Sequence, residues 1–189
     1  MISGVLALQG DFDAHRKRLE VLGAKVVLVR KPEQLNALDS LVIPGGESTT
    51  LLKLLESGGF LNQLRDFACA KPTLGTCAGA ILMATVVDNP RQPSLGVLDI
   101  RVQRNGYGRQ IDSTIEMAST QKLDGPPLEL VFIRAPKIVD TGPGVEVLAT
   151  GRGDPVLVRQ GTMLAATFHP ELSIETRVHR YFLEMARSQ

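Results

Sequence analysis

In the segment Thr73-Leu74-Gly75-Thr76-Cys77-Ala78-Gly79-Ala80, an apolar strand pattern over Pro72–Thr76 runs directly into an apolar helical pattern, and Cys77 stands at the junction. The spacing is Gly-x-nucleophile-x-Gly. A sharp strand-to-helix elbow of this kind lifts its central side chain above a sheet, and the flanking glycines let the backbone pass closely. A helix N-terminus favours thiolate over thiol, the nucleophilic form, and the Ala78 N–H is placed to face a developing oxyanion. Taken alone, the segment is also compatible with a buried cysteine in a tight βα turn.

Working outward, the first half of the chain alternates short apolar runs with helical patterns, the signature of parallel βαβ units. Ile2–Gln9, Lys25–Arg30, Ser40–Ile43 and Pro72–Thr76 read as strands. Phe12, Leu19 and Leu22 share one helical face ended by Gly23. Ser48 or Thr49 is expected to cap a helix over Leu51–Leu55, and Phe60–Ala70 forms another. In the second half, Gly96–Arg104, Leu128–Ile133, Gly144–Thr150, Pro155–Arg159 and Met163–Phe168 read as strands that extend the sheet in antiparallel fashion. A last helix sets Ile174, Val178, Tyr181, Phe182 and Met185 on its core face, with Arg177, His179, Arg180 and Glu184 off it. The fold class expected is α/β: a three-layer sandwich with a mostly parallel central sheet, helices on both faces and an antiparallel extension, the whole of 1–189 forming one domain.

Composition narrows the function. Of the 189 residues 43% are hydrophobic and 22% charged, and the net charge is +1, which gives no footprint for nucleic acid or an anionic membrane surface. The run Gly79–Val87 is too short to span a bilayer, and the start of the chain reads as a strand rather than a signal peptide. A cytoplasmic protein with free thiols at Cys69 and Cys77 is the expectation.

Phe168-His169-Pro170-Glu171 supplies the partners that Cys77 lacks. Residues two apart in an extended segment face the same way, and Pro170 restricts the turn, so Glu171 can hydrogen-bond one ring nitrogen of His169 and leave the other for the sulfur. That is a nucleophile, base and orienter set. The chain has 3 histidines; His15 reads as packed or capping and His179 as solvated. Pro44-Gly45-Gly46-Glu47-Ser48 is a glycine-rich turn whose N–H groups can hold an anion or complete an oxyanion hole. The Lys-Ser/Thr ending of a phosphate loop is missing, and the scattered cysteines and histidines match no zinc spacing, so no metal or other cofactor is expected.

Together these segments resemble a class I, triad-type glutamine amidotransferase domain. Leu8-Gln9-Gly10-Asp11, Gly46-Glu47-Ser48-Thr49-Thr50, Arg104-Asn105 with Gly108-Arg109-Gln110, Phe132-Ile133-Arg134-Ala135-Pro136 and Phe168-His169-Pro170-Glu171-Leu172 resemble the glutaminase subunits of pyridoxal 5′-phosphate synthases. The likeness implies that Cys77 attacks the side-chain amide of L-glutamine, that His169 serves as base and then acid, and that Glu171 orients it. It implies an oxyanion hole from Gly46 and Ala78, and a glutamine site from Gly46, Glu47, Ser48, Arg104, Ile133 and Arg134. It also implies a partner, a TIM-barrel synthase subunit that receives the ammonia and builds pyridoxal 5′-phosphate. Gly106-Tyr107 and Thr114 depart from the pattern, which often has Ser or Ala before the aromatic and a Phe at the later place. A cysteine peptidase on the same elbow is the rival enzyme, and a non-catalytic docking subunit the rival of another class. Arg104 and Glu47-Ser48 favour a small closed site for glutamine over an open peptide cleft, and the presence of Cys77, His169 and Glu171 disfavours an inactive subunit.

Overall fold

The computed structural model describes residues 1–107, 113–120 and 122–188. The first half runs β1 (Ile2–Leu6), α1 (Phe12–Val21), β2 (Lys25–Val29), β3 (Ser40–Ile43), α2 (Ser48–Ser57), α3 (Leu61–Ala70), β4 (Thr73–Thr76) and α4 (Ala78–Met83). The second runs β5 (Ala84–Asp88), β6 (Leu98–Gln103), β7 (Ser113–Ala118), β8 (Leu128–Ile133), β9 (Lys137–Thr141), β10 (Glu146–Gly151), β11 (Asp154–Gln160), β12 (Met163–Ala166) and α5 (Arg177–Arg187).

The main sheet has the order β10-β11-β12-β4-β3-β1-β2. Its strands from β2 to β12 pair in parallel, and β11 and β10 follow antiparallel. Because strand side chains alternate between faces, the buried strands feed two cores. Leu6, Leu41, Ile43 and Ala165 pack with Leu51 and Leu55 of α2, Leu64 and Phe67 of α3, and α4. Val5, Val42, Leu74 and Ala166 pack on the other face with Leu19 of α1 and Val178, Phe182 and Leu183 of α5. This is the three-layer α/β arrangement expected, and among the described residues no helix is long and apolar enough to cross a membrane.

The antiparallel extension is narrower than the sequence suggests. β6 pairs with β5 and β9, and β8 pairs with β7, in two small sheets apart from the main one. Their alternating buried and half-exposed residues look the same in sequence as those of an extension strand, and period 2 does not say which sheet a strand joins. β5, β7 and β9 were not read from the sequence. The expected strand Ile2–Gln9 stops at Leu6. Ile174 is not on the last helix, which starts at Arg177, and it is 90% exposed. The cap of α2 is neither Ser48 nor Thr49 but Glu47, whose carboxylate accepts from the Thr49 and Thr50 N–H groups. A carboxylate at that end satisfies the first orphan donors and complements the helix dipole.

The departures near 107–114 have local causes. A Cβ at Gly106 would overlap the Cβ of Lys137. Thr114 takes the Arg152 guanidinium on its hydroxyl, and that guanidinium also pairs with Glu116 at 2.7 Å and lies 4.2 Å from the Phe132 ring centroid and 4.8 Å from that of Tyr107. The Gly108-Arg109-Gln110 word lies outside the described residues.

A tight joint in the fold is α4 against β3. A Cβ on Gly79 would overlap the carbonyl oxygen of Ile43, a backbone atom that cannot step aside. Gly79→Ala is therefore expected to lower stability by about 1–3 kcal/mol, as overpacking of a well-filled core does. Asn62→Ala, on the exposed face of α3, should stay within about 0.5 kcal/mol. Denaturant midpoints of the two variants check both values.

Candidate active site

Three neighbouring parallel strands end at one level. Ile43 of β3 is in register with Gly75 of β4, and Thr76 of β4 with Ala166 of β12. The segments that leave these ends carry Gly45, Gly46 and Glu47, then Cys77, then His169 and Glu171. A crevice beyond the carboxyl ends of parallel strands is the usual ligand position in open α/β sheets. Cys77, Gly46, Glu47, Arg104, Arg134 and His169 line a cavity of about 280 Å³ there, with Asp11, Ser48, Asn105, Ile81 and Ile133 at its walls. That lies near the small end of small-molecule sites, roughly 300–1,000 Å³.

Cys77 sits at φ 47 and ψ −103, just before α4. Its N–H donates to the Ala166 carbonyl at 2.8 Å, and its own carbonyl accepts from Ile81 N–H at 3.1 Å. The elbow is thus fastened to β12 on one side and to its helix on the other. His169 is anchored by its N–H, which donates to the Val131 carbonyl of β8 at 2.8 Å. Its ring Nδ1 lies 2.7 Å from Glu171 Oε1, and both residues are buried. The Cys77 side chain lies beside the ring and raises its affinity for a proton. Gly45 makes this approach possible: a Cβ there would fall 2.6 Å from His169 Cε1 and 3.3 Å from the Cys77 Cβ.

Charge in the site is arranged in pairs. The Arg104 Nη2 donates to Glu47 Oε1 at 3.1 Å and to Thr49 Oγ1 at 2.9 Å. Burial pushes the Glu47 carboxyl upward in pKa, but the N–H groups and hydroxyls of Thr49 and Thr50 outweigh that and bring it down to about 2. Gln9 Oε1 accepts from Glu47 N–H at 3.2 Å, tying the glycine turn to the end of β1. The sequence expectations are met unevenly. Cys77, His169, Gly46, Glu47, Arg104, Ile133 and Arg134 converge on the cavity, and Glu171 stands directly behind His169. Ser48 reaches its wall, but its hydroxyl is turned to Gln92 Oε1 at 3.0 Å, a residue that no motif marked. Ala78 is fully buried at the start of α4. His179, expected to be solvated, is fully buried, because α5 turns it inward against α1, a packing that its helical period alone could not foretell. His15 is packed, as read.

Chemically, the arrangement offers a thiol at a strained elbow, an imidazole on it, a carboxylate behind the imidazole, and a cationic fork across a small cavity. Asp11, His169 and Glu171 could together present three ligand atoms to a cation, but the Glu171–His169 hydrogen bond already uses the facing nitrogen.

The SNO glutamine amidotransferase family profile matches residues 5–188. The pyridoxal 5′-phosphate synthase subunit PdxT of Koribacter versatilis (strain Ellin345) is 63% identical, over 98% of this chain and 95% of its own length. That of Solibacter usitatus (strain Ellin6076) is 53% identical, over 95% of this chain and 96% of its own. A solved structure described as the crystal structure of glutamine amidotransferase superposes with a TM-score of 0.92 at 47% identity, covering 99% of this chain and 100% of that one.

The charge on His169 gives a test of this geometry. Burial lowers the affinity of the ring for a proton, but its hydrogen bonds with the Cys77 and Glu171 side chains outweigh burial and raise its pKa to about 10. A pKa raised on folding contributes stability that is complete below the ordinary imidazole value, roughly 6.5, and is lost as pH climbs through the folded value. The chain is therefore expected to lose stability between about pH 7 and 10 more steeply than His169→Asn does. Urea midpoints measured for both across that range decide it, and parallel curves would contradict the hydrogen-bonded imidazolium.

Proposed function

We propose, since the chain belongs to the SNO glutamine amidotransferase family, that it is the glutaminase subunit of a pyridoxal 5′-phosphate synthase, working through Cys77, His169 and Glu171. The observation that carries this reading is the buried alignment of thiol, ring and carboxylate, with 2.7 Å between His169 Nδ1 and Glu171 Oε1, at the wall of a cavity sized for a small molecule. Coverage of 95% of the Koribacter PdxT subunit supports treating 1–189 as one glutaminase domain. Two unpaired cysteines suit a reducing compartment such as the cytoplasm.

In this mechanism the Cys77 sulfur attacks the amide carbon of the glutamine side chain. The raised proton affinity of His169 suits it to take the proton from the thiol as the sulfur attacks and to hold it through the next step. The negative oxygen of the tetrahedral intermediate is received by the N–H groups of Gly46 and Ala78, a contact whose loss costs on the order of 10²–10³ in kcat. As the C–N bond breaks, His169 passes its proton to the departing nitrogen, and ammonia leaves a thioester on Cys77. Water then attacks the thioester with His169 as base, releasing glutamate and restoring the thiol. Glu171 keeps the ring in the tautomer that faces its other nitrogen to sulfur. The α-carboxylate of glutamine takes the fork of Arg104 in competition with Glu47, the bidentate match that a guanidinium favours. Glu47, Ser48, Ile133 and Arg134 form the remaining walls. Ammonia then passes to another subunit of the synthase, a TIM barrel by the resemblance noted in the sequence; the relatives are themselves named as synthase subunits.

The test is glutamate release from L-glutamine by the chain mixed with that synthase subunit. Cys77→Ala is expected to abolish release, whereas Cys69→Ala, at an exposed site on α3, should retain it within about twofold. Equal loss in the two variants would overturn the assignment of the nucleophile.

A further inference from the structure

All 3 histidines of the chain lie in one line. Behind Glu171, away from Cys77, α1 contributes His15 and α5 contributes His179, and both are fully buried. His15 Nδ1 is 2.9 Å from His179 Nε2. His15 Nε2 sits between two oxygens, Thr76 Oγ1 at 3.1 Å and Glu171 Oε2 at 3.2 Å. Among the described residues Glu171 Oε2 and His179 Nδ1 are both buried without a hydrogen-bond partner, His15 Nε2 lying close to Glu171 Oε2 but aligned with Thr76 instead. The two oxygens of one carboxylate thus face two different imidazoles. Nothing in the reaction described above uses the second.

The protons in this line can be placed by elimination. Both rear rings are neutral: burial first, then the repulsion that a proton on His15 would meet from one on His179 or His169, hold His15 well below the usual imidazole range, and burial, then the Arg18 charge, brings His179 to about 3. A neutral ring has one N–H. If His15 carried it on Nδ1, a bare Nε2 lone pair would face the Glu171 carboxylate, and His179 would have to leave an N–H buried without an acceptor. If His15 carries it on Nε2, the N–H points at Thr76 with Glu171 Oε2 beside it, His179 Nε2–H donates to His15 Nδ1, and the unpartnered ring atom is a lone pair on His179. An orphan donor is rarer and costlier than an orphan acceptor, so the second arrangement holds.

We propose that His15 is a positioning residue: its Nε2–H is a donor within reach of the unpartnered Glu171 Oε2 and, by a small turn away from Thr76, holds the carboxylate that orients His169. The proposal rests on the role given to Glu171 under the proposed function, since a carboxylate held at one oxygen only can rotate away from the ring it serves. Arg18 completes the frame from the same helix, its Nε donating to the Glu171 carbonyl at 3.2 Å. Three elements far apart in sequence thereby converge behind the site: α1, the end of β4 through Thr76, and α5.

The experiment has two arms, and neither depends on glutamine being the substrate. In ¹⁵N-labelled full-length chain, long-range ¹H–¹⁵N spectra resolve the three rings. His15 is expected as the neutral Nε2–H form with no titration between about pH 5.5 and 8.5, where a free imidazole would titrate. In His179→Phe the Nε2–H form of His15 should persist, with its Nδ1 resonance shifted because that lone pair loses its donor. An Nδ1–H or charged His15 in the parent chain, or an unmoved Nδ1 resonance in His179→Phe, overturns the proposal without any variant of His15 being needed. In the second arm, with Cys69→Ser as background, the pH profile of Cys77 alkylation by iodoacetamide is compared for the parent, His15→Leu and His15→Gln. His15→Leu removes the donor and is expected to move the onset of alkylation to higher pH and slow it roughly tenfold near neutrality. His15→Gln, which keeps an N–H of similar reach, should recover most of the parent profile. A His15→Leu profile equal to the parent, or a His15→Gln profile no better than His15→Leu, overturns it. Loss of glutamate release with these two arms intact would instead count against the substrate reading.

Discussion

A cysteine held at φ 47 and ψ −103 is in a region that L-residues seldom enter, at a cost of about 1–3 kcal/mol. The surroundings of Cys77 leave it no alternative. Its N–H is committed to Ala166 and its carbonyl to the first turn of α4, while α4 itself is wedged against β3 through Gly79. β4 cannot shift to relieve the elbow, since β3 and β12 flank it in parallel register. The remaining geometry follows from this fixed point. Because the three strands end together, the glycine turn after β3 and the His169 segment after β12 reach the sulfur from opposite sides.

The electrostatics divide along the same axis. On the cavity side, charges meet as partners: Glu47 with Arg104, and His169 with Glu171 and Cys77. Behind the carboxylate, the polar groups are neutral and enclosed. A buried carboxylate loses its hydration and needs donors in return, which explains why the rear of Glu171 is built from imidazole and hydroxyl rather than from packed aliphatics. The Glu47–Arg104 pair has a different consequence. Under the proposed function an arriving carboxylate would have to displace an existing one, and the site would discriminate by exchange of partners rather than by filling an empty positive pocket.

What could be read from the sequence was what is local. The Cys77 elbow, the His169-x-Glu171 pair and the glycine turn are each contained within a few residues, where spacing dictates direction. The alternating βα patterns gave the parallel core for the same reason. The relation of His15 to His179 spans 164 positions, and no periodicity reports which buried helix face will meet which. Gln92 is similarly invisible, because it lies outside any regular element and acts only once its loop folds over Ser48. The sheet membership of β6 and β8 failed to show because a half-buried strand has the same pattern whichever neighbours it finds.

The enclosure of all three imidazoles also governs how the whole molecule exchanges protons with its solvent. Imidazole is the side chain that ordinarily buffers a protein near neutrality. Here two rings are held neutral well below that range and the third stays charged to about 10. The histidines therefore take up and release almost nothing as the medium drifts from mildly acidic to mildly alkaline. Their share of the net charge is constant over that span, and so is their share of any attraction or repulsion felt by a protein that docks against this one.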